Sequence, residues 1–177
     1  IGIYLQKPIR ARLLRDGICR ALAGENYSAE QKQEEAEGGD FQQLAEQYPF
    51  SILLVEDNLV NQKVAIKIAE KLGYDLDAAG NGVEALDALK NNKYDVVFMD
   101  MQMPEMDGWE ATRRIRSDFA DCEQPYIIAM TAGAMEEDRQ SCFDAGMDAF
   151  VAKPIKQADL VGALKAAHAG RPYGAPA

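Results

Sequence analysis

Residues 51–169 predict an α/β fold in which helices cover both faces of a parallel sheet. Short apolar runs alternate with amphipathic stretches along this part of the chain, which is the pattern of successive β-α units. The alternation repeats five times. The first amphipathic stretch also carries Val64, Ile68 and Leu72 at a spacing of four residues, which places them on one side of a helix.

The repeat defines five strands and five helices. The predicted strands are residues 52–56, 75–79, 95–100, 126–130 and 149–152. The predicted helices are residues 60–72, 82–91, 109–117, 135–145 and 157–169. A repeat of this length predicts a flavodoxin-like, doubly wound (βα)5 domain with a five-stranded parallel sheet in the order 2-1-3-4-5. Such folds place their functional sites beyond the carboxyl ends of the strands.

The flanking residues have a different composition. Residues 24–49 contain seven acids against one lysine and few large apolar groups, which is typical of a solvated acidic linker. Residues 170–177 carry glycine or proline at alternate positions, including Pro172, Gly174 and Pro176, and are expected to form a flexible tail. The folded domain is therefore assigned to residues 50–169, and residues 1–23 form a separate N-terminal segment.

Composition and charge limit the kinds of partner. The chain has 177 residues, of which 47% are hydrophobic and 27% charged, as in globular proteins, and a formal net charge of −10. Such an acidic surface disfavours nucleic acid and anionic lipid, and it suits cationic partners or a bound metal. The three cysteines lack metal-ligand spacing and are expected to be free thiols.

The location of the chain is predicted from what its sequence lacks. No apolar run is long enough to cross a bilayer and no signal peptide is visible. We therefore expect a cytoplasmic protein without membrane contact of its own. Because the chain starts at Ile1 without an initiator Met, we also expect it to be a piece of a longer protein, and a membrane anchor elsewhere in that protein is compatible with this.

Polar side chains follow four of the five predicted strands. The first strand ends in Glu56 and Asp57, the third in Asp100, the fourth in Thr131 and the fifth in Lys153. Each has an ordinary alternative role, as a helix cap, a turn residue or a solvated charge. In a doubly wound sheet these four strands lie side by side, so we expect the five residues to converge at one edge.

The predicted convergence has a chemical consequence. Three carboxylates in one pocket repel, and all can stay ionised only if a divalent cation and a nearby ammonium group offset their charge. Ligands that are all oxygen indicate Mg²⁺, which keeps several waters and binds few carboxylates together with a phosphate. A metal between the acids would also screen an incoming phosphoryl group from them.

Three segments resemble a known family: ILLVEDNLVNQKVA, YDVVFMDMQMPEMDGWEATRRIR and IIAMTAGAMEEDRQSCFDAGMDAFVAKPI. They resemble the receiver domains of response regulators in two-component signalling, in particular those fused to hybrid sensor histidine kinases. The resemblance covers about residues 50–169. It implies a domain that takes a phosphoryl group from a histidine kinase and relays it, usually to a histidine phosphotransfer domain, or switches conformation.

The resemblance also implies a role for each residue at the strand ends. Asp100 is the phosphate-accepting nucleophile. Asp57, Asp100 and the backbone carbonyl of Gln102 bind Mg²⁺, and Glu56 binds it through a water. Lys153 pairs with the phosphoryl group, and the Lys-Pro peptide that it begins resembles the cis bond of the family. A carboxylate can attack phosphorus to give an acyl phosphate, and Mg²⁺ and Lys153 would supply the positive charge that this reaction needs.

A conformational switch is implied by the same resemblance. Phosphorylated Asp100 would offer oxygens to the hydroxyl of Thr131, drawing that loop inward and vacating space for the ring of Phe150. Phe150 stands where many relatives have Tyr, so one hydroxyl hydrogen bond is lost while the turning ring is kept. Gly133 has no side chain to position or block an attacking water, which leaves the rate of self-hydrolysis open.

Three other classes of protein compete with this interpretation. A haloacid dehalogenase-type hydrolase would have a second Asp at the position of Gln102. A flavodoxin would have a Ser/Thr/Gly-rich phosphate loop where this chain has an anionic EDN sequence. An unphosphorylated pseudo-receiver is the strongest rival, but such modules typically lack part of the acid, Thr and Lys set that is complete here.

The expected partners follow from what the chain lacks. Its one histidine, His168, lies in the last predicted helix and no ATP-binding boxes are visible, so the phosphoryl group must come from a histidine kinase core elsewhere. Leu59, Val60 and Val64 open the first helix beside the predicted site. We expect a histidine-bearing helix bundle to dock there.

An internal repeat concerns the N-terminal segment. YLQKPIRARLLRDGICRALAG at residues 4–24 parallels FVAKPIKQADLVGALKAAHAG at residues 150–170. Residues 1–23 are therefore interpreted as the last strand and helix of an upstream receiver or pseudo-receiver. We predict a helix over residues 9–21 that docks on the receiver or on a second copy of the chain, in which case it would form a homodimer.

Overall fold

The computed structural model describes residues 44–120, 124–132 and 136–170, with the side chains of residues 136–138 left out. Several sequence predictions concern residues outside these ranges: the N-terminal segment with its helix, most of the acidic linker, the tail, and Gly133. Within the described ranges, none of the helices combines the length and the apolar character that crossing a bilayer requires.

The described residues form the predicted five-stranded sheet. Its strands are β1 (Ile52–Val55), β2 (Leu76–Ala79), β3 (Val96–Asp100), β4 (Tyr126–Thr131) and β5 (Ala149–Ala152). The helices are α1 (Leu44–Gln47), α2 (Leu59–Lys71), α3 (Gly82–Asn91), α4 (Gly108–Asp118), α5 (Glu136–Asp144) and α6 (Gln157–His168). All strand pairs are parallel, in the order β2-β1-β3-β4-β5. The predicted fold class and strand order are confirmed.

Alternate residues of the central strands enter two separate hydrophobic layers. In β1, Leu53 and Val55 face the layer that includes residues of α3, α4 and α5. Ile52 and Leu54 face the layer that includes residues of α2 and α6. A strand covered on both faces needs apolar side chains at successive positions. The uninterrupted apolar runs of β1 and β3 therefore place these strands in the middle of the sheet.

Side-chain caps fix the points at which the chain turns from strand to helix. Asn58, Asn81 and Asp107 precede α2, α3 and α4, and each accepts a first-turn backbone N–H through its side-chain oxygen, at 2.8, 2.9 and 2.7 Å respectively. Such caps satisfy donors that a helix start leaves unpaired. Those at α2 and α4 hold the loops after β1 and β3, where the predicted site lies.

The last residues of the predicted linker pack against the domain at the amino ends of the strands. Leu44 is only 4% exposed and joins the layer beneath α2 and α6. The hydroxyl of Tyr74 donates to the carbonyl of Tyr48 at 2.7 Å, and the rings of Tyr48 and His168 are 4.6 Å apart. A few apolar groups in an otherwise polar stretch thus provide the burial that holds the end of this segment in place.

Candidate functional site

The register of the sheet brings the strand-end residues together. The residue before Glu56 in β1 is paired with the residue before Asp100 in β3, so these two acids become neighbours at the carboxyl edge. Thr131 of β4 is paired with the residue before Lys153. The convergence predicted from the sequence is therefore a direct result of parallel pairing without a shift.

These residues line one pocket with a volume of about 340 Å³. The predicted site residues in its wall are Glu56, Asp57, Asp100, Gln102, Thr131 and Lys153. The wall also contains residues that the sequence analysis did not assign to the site, namely Asn58, Asn61, Met101, Trp109 and Ala132. Phe150 lies outside this wall, buried at 5% exposure in the layer of α3, α4 and α5.

The three acids are close enough to share one cation. A carboxylate oxygen from each of Glu56, Asp57 and Asp100 lies within 4.8 Å of the others. Glu56 and Asp100 are 2% and 4% exposed, whereas Asp57 is exposed. A compact set of oxygen ligands with one solvent-facing member suits a hard divalent cation that keeps part of its water shell.

Lys153 connects the two buried acids. Its ammonium nitrogen lies 2.5 Å from Glu56 Oε2 and 2.6 Å from Asp100 Oδ2. The other oxygen of Asp100, Oδ1, accepts the backbone N–H of Gln102 at 3.2 Å. Lys153 itself begins a cis peptide bond to Pro154. One ammonium group therefore serves two buried carboxylates, with a third carboxylate at the rim.

Burial and the neighbouring charges raise the pKa values of both Asp100 and Lys153. Burial raises the pKa of Asp100 and the charge of Glu56 adds to the rise, while hydrogen bonds from Lys153 and the Gln102 N–H oppose it without cancelling it. Burial alone would lower the pKa of Lys153, but hydrogen bonds and charges from Asp100 and Glu56 outweigh burial and raise that pKa. Lys153 therefore stays charged. A further cation in the pocket would favour the ionised form of Asp100 and lower its pKa.

The turn after β3 brings a glycine against the acceptor strand. A Cβ atom on Gly108 would lie 2.3 Å from the carbonyl oxygen of Asp100, and the N–H of Gly108 donates to the carbonyl of Met101 at 3.2 Å. The structure shows that a residue without a side chain is needed for the backbone of α4 to approach Asp100.

Asn61 is one of the wall residues that were not predicted, and its side chain contacts a buried acid of the site. Its amide nitrogen donates to Glu56 Oε1 at 2.8 Å. The spacing of the sequence places Asn61 near the site, because it follows the cap residue Asn58 by three positions and therefore lies on the same side of α2. Polar residues at such spacing are common on helix surfaces, so the spacing alone did not point to the site.

Comparison with known proteins agrees with this geometry. The fold and the pocket define a receiver module of two-component phosphorelay signalling. The family model for the response regulator receiver domain matches residues 52–165, which contain every residue of the pocket wall. The chain belongs to the response regulator receiver domain family.

The most similar relatives include much longer histidine kinases. Hybrid signal transduction histidine kinase H of Dictyostelium discoideum is 46% identical over 124 residues, which are 68% of this chain and 9% of that protein. Histidine protein kinase 1 of Candida albicans is 42% identical over 132 residues, which are 70% of this chain and 5% of that protein. The chain therefore spans a small fraction of the length of these relatives.

Solved receiver domains share the fold. The receiver domain of the sensor histidine kinase PA1611 from Pseudomonas aeruginosa PAO1, described with a magnesium ion coordinated in its active site cleft, is 40% identical with a TM-score of 0.60, covering 66% of this chain and 94% of that one. A second similar structure is the complex of the Saccharomyces cerevisiae histidine phosphotransfer protein Ypd1 with the receiver domain of Ssk1. The matched chain is 27% identical with a TM-score of 0.60, and the match covers 65% of this chain and 86% of that one.

Proposed function

We propose that Asp100 accepts a phosphoryl group from a phosphohistidine and that the domain relays it or switches conformation as part of a hybrid histidine kinase. The observation that carries this proposal is the position of Asp100 at the end of the central strand, in contact with Lys153 and beside two other acids. A carboxylate oxygen of Asp100 forms a bond to phosphorus while the phosphorus–nitrogen bond of the donor breaks. The donor nitrogen keeps the electron pair and takes up a proton.

The donor set of the pocket fits Mg²⁺. Asp57, Asp100 and the backbone carbonyl of Gln102 would hold the ion, and Glu56 would reach it through a water. When bound, Mg²⁺ supplies positive charge to the phosphoryl oxygens, which the transition state of phosphoryl transfer requires. Lys153, whose ammonium nitrogen lies 2.6 Å from Asp100 Oδ2, adds a second positive charge. The magnesium ion described for the Pseudomonas receiver supports this assignment.

Thr131 and Phe150 are proposed to form the switch. Thr131 lines the pocket at the end of β4, so a phosphoryl group on Asp100 would share the pocket with its side chain. Phe150 is in β5, the neighbouring strand, with its ring buried. A change in the loop after β4 would therefore alter the packing of that ring directly.

The proposed partners are a histidine kinase core and a histidine phosphotransfer domain. Leu59, Val60 and Val64 of α2 are 68%, 69% and 47% exposed. A second groove, of about 300 Å³, runs from Val64 past Glu56 to Ile155. This apolar surface borders the acceptor pocket, where a helix bundle carrying phosphohistidine would have to bind. The yeast complex of a receiver with Ypd1 supports a partner of this class.

We also propose a location and an oligomeric state for the chain. Its net charge of −10 does not favour nucleic acid, and we place the domain in the cytoplasm, where histidine kinases act on their receivers. A homodimer through residues 1–23 stays a prediction. Deleting those residues should leave phosphorylation of Asp100 intact and should remove the dimer, as measured by light scattering.

The assignment of Asp100 is tested by labelling with acetyl phosphate in the presence of Mg²⁺. The unaltered chain should gain the mass of one phosphoryl group in a form that hydroxylamine removes, and Asp100→Asn should gain none. Asp87→Asn is the matched control, because Asp87 is exposed on α3 and pairs only with the exposed Lys90 among the described residues. Asp57→Asn should need more Mg²⁺ for the same labelling. An acyl phosphate on the Asp100→Asn protein would refute the assignment.

A further inference from the structure

Both oxygens of the Glu56 carboxylate are occupied by protein donors. Asn61 Nδ2 donates to Oε1 at 2.8 Å, and the backbone N–H of Asn58 donates to the same oxygen at 3.4 Å. Lys153 lies 2.5 Å from Oε2. The side chain of Gln62 donates to the backbone carbonyl of Glu56 at 2.6 Å. The start of α2 therefore holds Glu56 at its side chain and at its backbone.

We propose that Asn61 is a positioning residue for phosphoryl transfer, which keeps Glu56 turned toward Lys153 and out of direct contact with the metal. This inference rests on the proposed function of the same pocket. Asn61 acts through Glu56 and does not touch the reacting atoms, so it is not a catalytic residue.

The physical reason is competition for Glu56 between two positive charges. A divalent cation near Asp57 and Asp100 also attracts the Glu56 carboxylate, whose nearest oxygen lies within 4.8 Å of theirs. If Glu56 entered the metal shell, Lys153 would lose one of its two partners and would pair more closely with Asp100. Its charge would then be less available to an incoming phosphoryl group. A hydrogen bond from an amide to a carboxylate opposes this movement.

Asn61 is placed to have this effect although it is an exposed residue. It lines both the acidic pocket and the apolar groove beside it. Exposed polar residues on helices usually contribute little beyond solvation. Here the amide donates to a carboxylate that is 2% exposed, and a buried charge depends strongly on each of its donors. Removal of this neutral donor leaves the charge of the pocket unchanged but leaves the Glu56 carboxylate less stabilised in its present position.

The proposal predicts opposite changes in metal binding and in phosphorylation. Without the Asn61 donor, Glu56 is free to approach the ion, so Mg²⁺ should bind more tightly. Lys153 is then drawn toward Asp100, so phosphorylation should become slower. A residue that merely stabilised the local fold would, when removed, weaken both properties together. The direction of the metal effect therefore separates the two roles.

The experiment uses the whole chain and its single tryptophan. Trp109 lines the pocket, so we expect its fluorescence to change when Mg²⁺ binds there. Asn61→Leu keeps the shape of the side chain without a donor or a charge, and Asn61→Gln keeps the amide. The matched control is Asn91→Leu, since Asn91 is also exposed on a helix and donates from its amide to the Asp87 carbonyl at 2.7 Å. Asn61→Ser, which is too short to reach Glu56, repeats the test if Leu disturbs folding.

We expect Asn61→Leu to bind Mg²⁺ about threefold more tightly or better, and to be labelled by acetyl phosphate about tenfold more slowly at saturating Mg²⁺. Asn61→Gln should restore both values toward those of the unaltered chain, and Asn91→Leu should match it. Unchanged or weaker Mg²⁺ binding in both Asn61→Leu and Asn61→Ser would overturn the positioning role. A chain that takes no phosphate at all, yet shows the predicted gain in Mg²⁺ binding, would instead refute the proposed function and leave the role of Asn61 standing.

Discussion

The guanidinium carbon of Arg139 lies 5.1 Å from the centre of the Phe150 ring, so a cation from α5 covers the face of the proposed switch aromatic. The Nε atom of Arg139 is buried and has no hydrogen-bond partner among the residues that the structure describes. A cation over an aromatic face contributes roughly 0.5–2 kcal/mol, and more when water is excluded. We expect Arg139→Leu to lower the free energy of unfolding by about 1 kcal/mol in urea denaturation.

A double-mutant cycle separates this contact from general packing. Phe150→Leu keeps an apolar group in β5 but removes the ring face. If the two side chains interact as described, the losses from Arg139→Leu and Phe150→Leu should fall short of additivity by about 0.5 kcal/mol or more. Fully additive losses would show that the arginine and the ring contribute independently.

Gly108→Ala should disturb the acceptor strand. The new Cβ would lie 2.3 Å from the Asp100 carbonyl oxygen and 3.0 Å from the Met101 Cα, and backbone atoms cannot move aside cheaply. We expect the free energy of unfolding to fall by about 2 kcal/mol and labelling of Asp100 by acetyl phosphate to slow. Gly80→Ala is the control, because its Cβ would meet only the end of the Glu84 side chain, at 3.3 Å. Equal effects at both positions would contradict a specific role for Gly108.

Tyr74→Phe should have an effect that depends on pH. Burial, with a smaller contribution from Tyr48, raises the pKa of Tyr74 from 10.0 to about 12. Below pH 10 the phenol is neutral in both the folded and the unfolded chain, so its hydrogen bond to Tyr48 contributes fully. Above pH 10 the unfolded chain releases the proton and the folded chain keeps it, so stability falls as the pH rises toward 12.

The Tyr74→Phe variant has no phenol to ionise, so it does not lose this part of its stability at alkaline pH. At neutral pH it should be less stable than the unaltered chain by about 1 kcal/mol. The difference should shrink as the pH rises above 10, since only the unaltered chain loses the contribution of Tyr74. Urea denaturation at neutral and at alkaline pH measures both values. A difference that stays constant across this range would show that Tyr74 ionises alike in the folded and unfolded states.

Leu59→Arg and Val60→Arg should slow phosphotransfer from a protein donor without affecting a small one. Both side chains are more than two-thirds exposed, so their replacement should not disturb the core, while a buried charge in an apolar interface is costly. We expect transfer from a phosphorylated histidine phosphotransfer protein to fall about tenfold and labelling by acetyl phosphate to be unchanged. Asn91→Arg on α3 serves as the charge-matched control. Loss with both donors would refute docking at α2.

Within the described residues, the sequence predicted the strands β1–β5 and the helices α2–α6 to within one residue at each end, whereas the short helix α1 was not predicted. This accuracy has a physical basis. The strands are buried on both faces and therefore read as short apolar runs, and residues such as Asn81 and Asp107 stop the chain from extending a helix further back. The same parallel register made the meeting of Asp100 with Lys153 predictable, because only the ends of three successive strands of the sheet, β3, β4 and β5, had to be known.

Contacts that depend on side-chain direction were not predictable. The hydrogen bond from Asn61 to Glu56 and the position of Arg139 over Phe150 require a particular rotamer and a particular height of a helix above the sheet. Sequence periodicity gives the side of a helix but not these distances. Leu44 and Tyr48 were likewise assigned to a solvated linker, because composition averaged over a long acidic stretch hides a few apolar residues at its end.

The contact between the tilted rings of Tyr48 and His168 places the two ends of the domain side by side. Tyr48 lies just before β1 and His168 ends α6, so the polypeptide arrives and departs at the same pole. The acceptor pocket opens at the opposite pole, beyond the carboxyl ends of the strands. A domain that precedes or follows this one in the same polypeptide would therefore be attached at the end of the domain that is distant from Asp100. If Asp100 accepts a phosphoryl group as proposed, donor and acceptor proteins would therefore reach the pocket from the side opposite these two points of attachment.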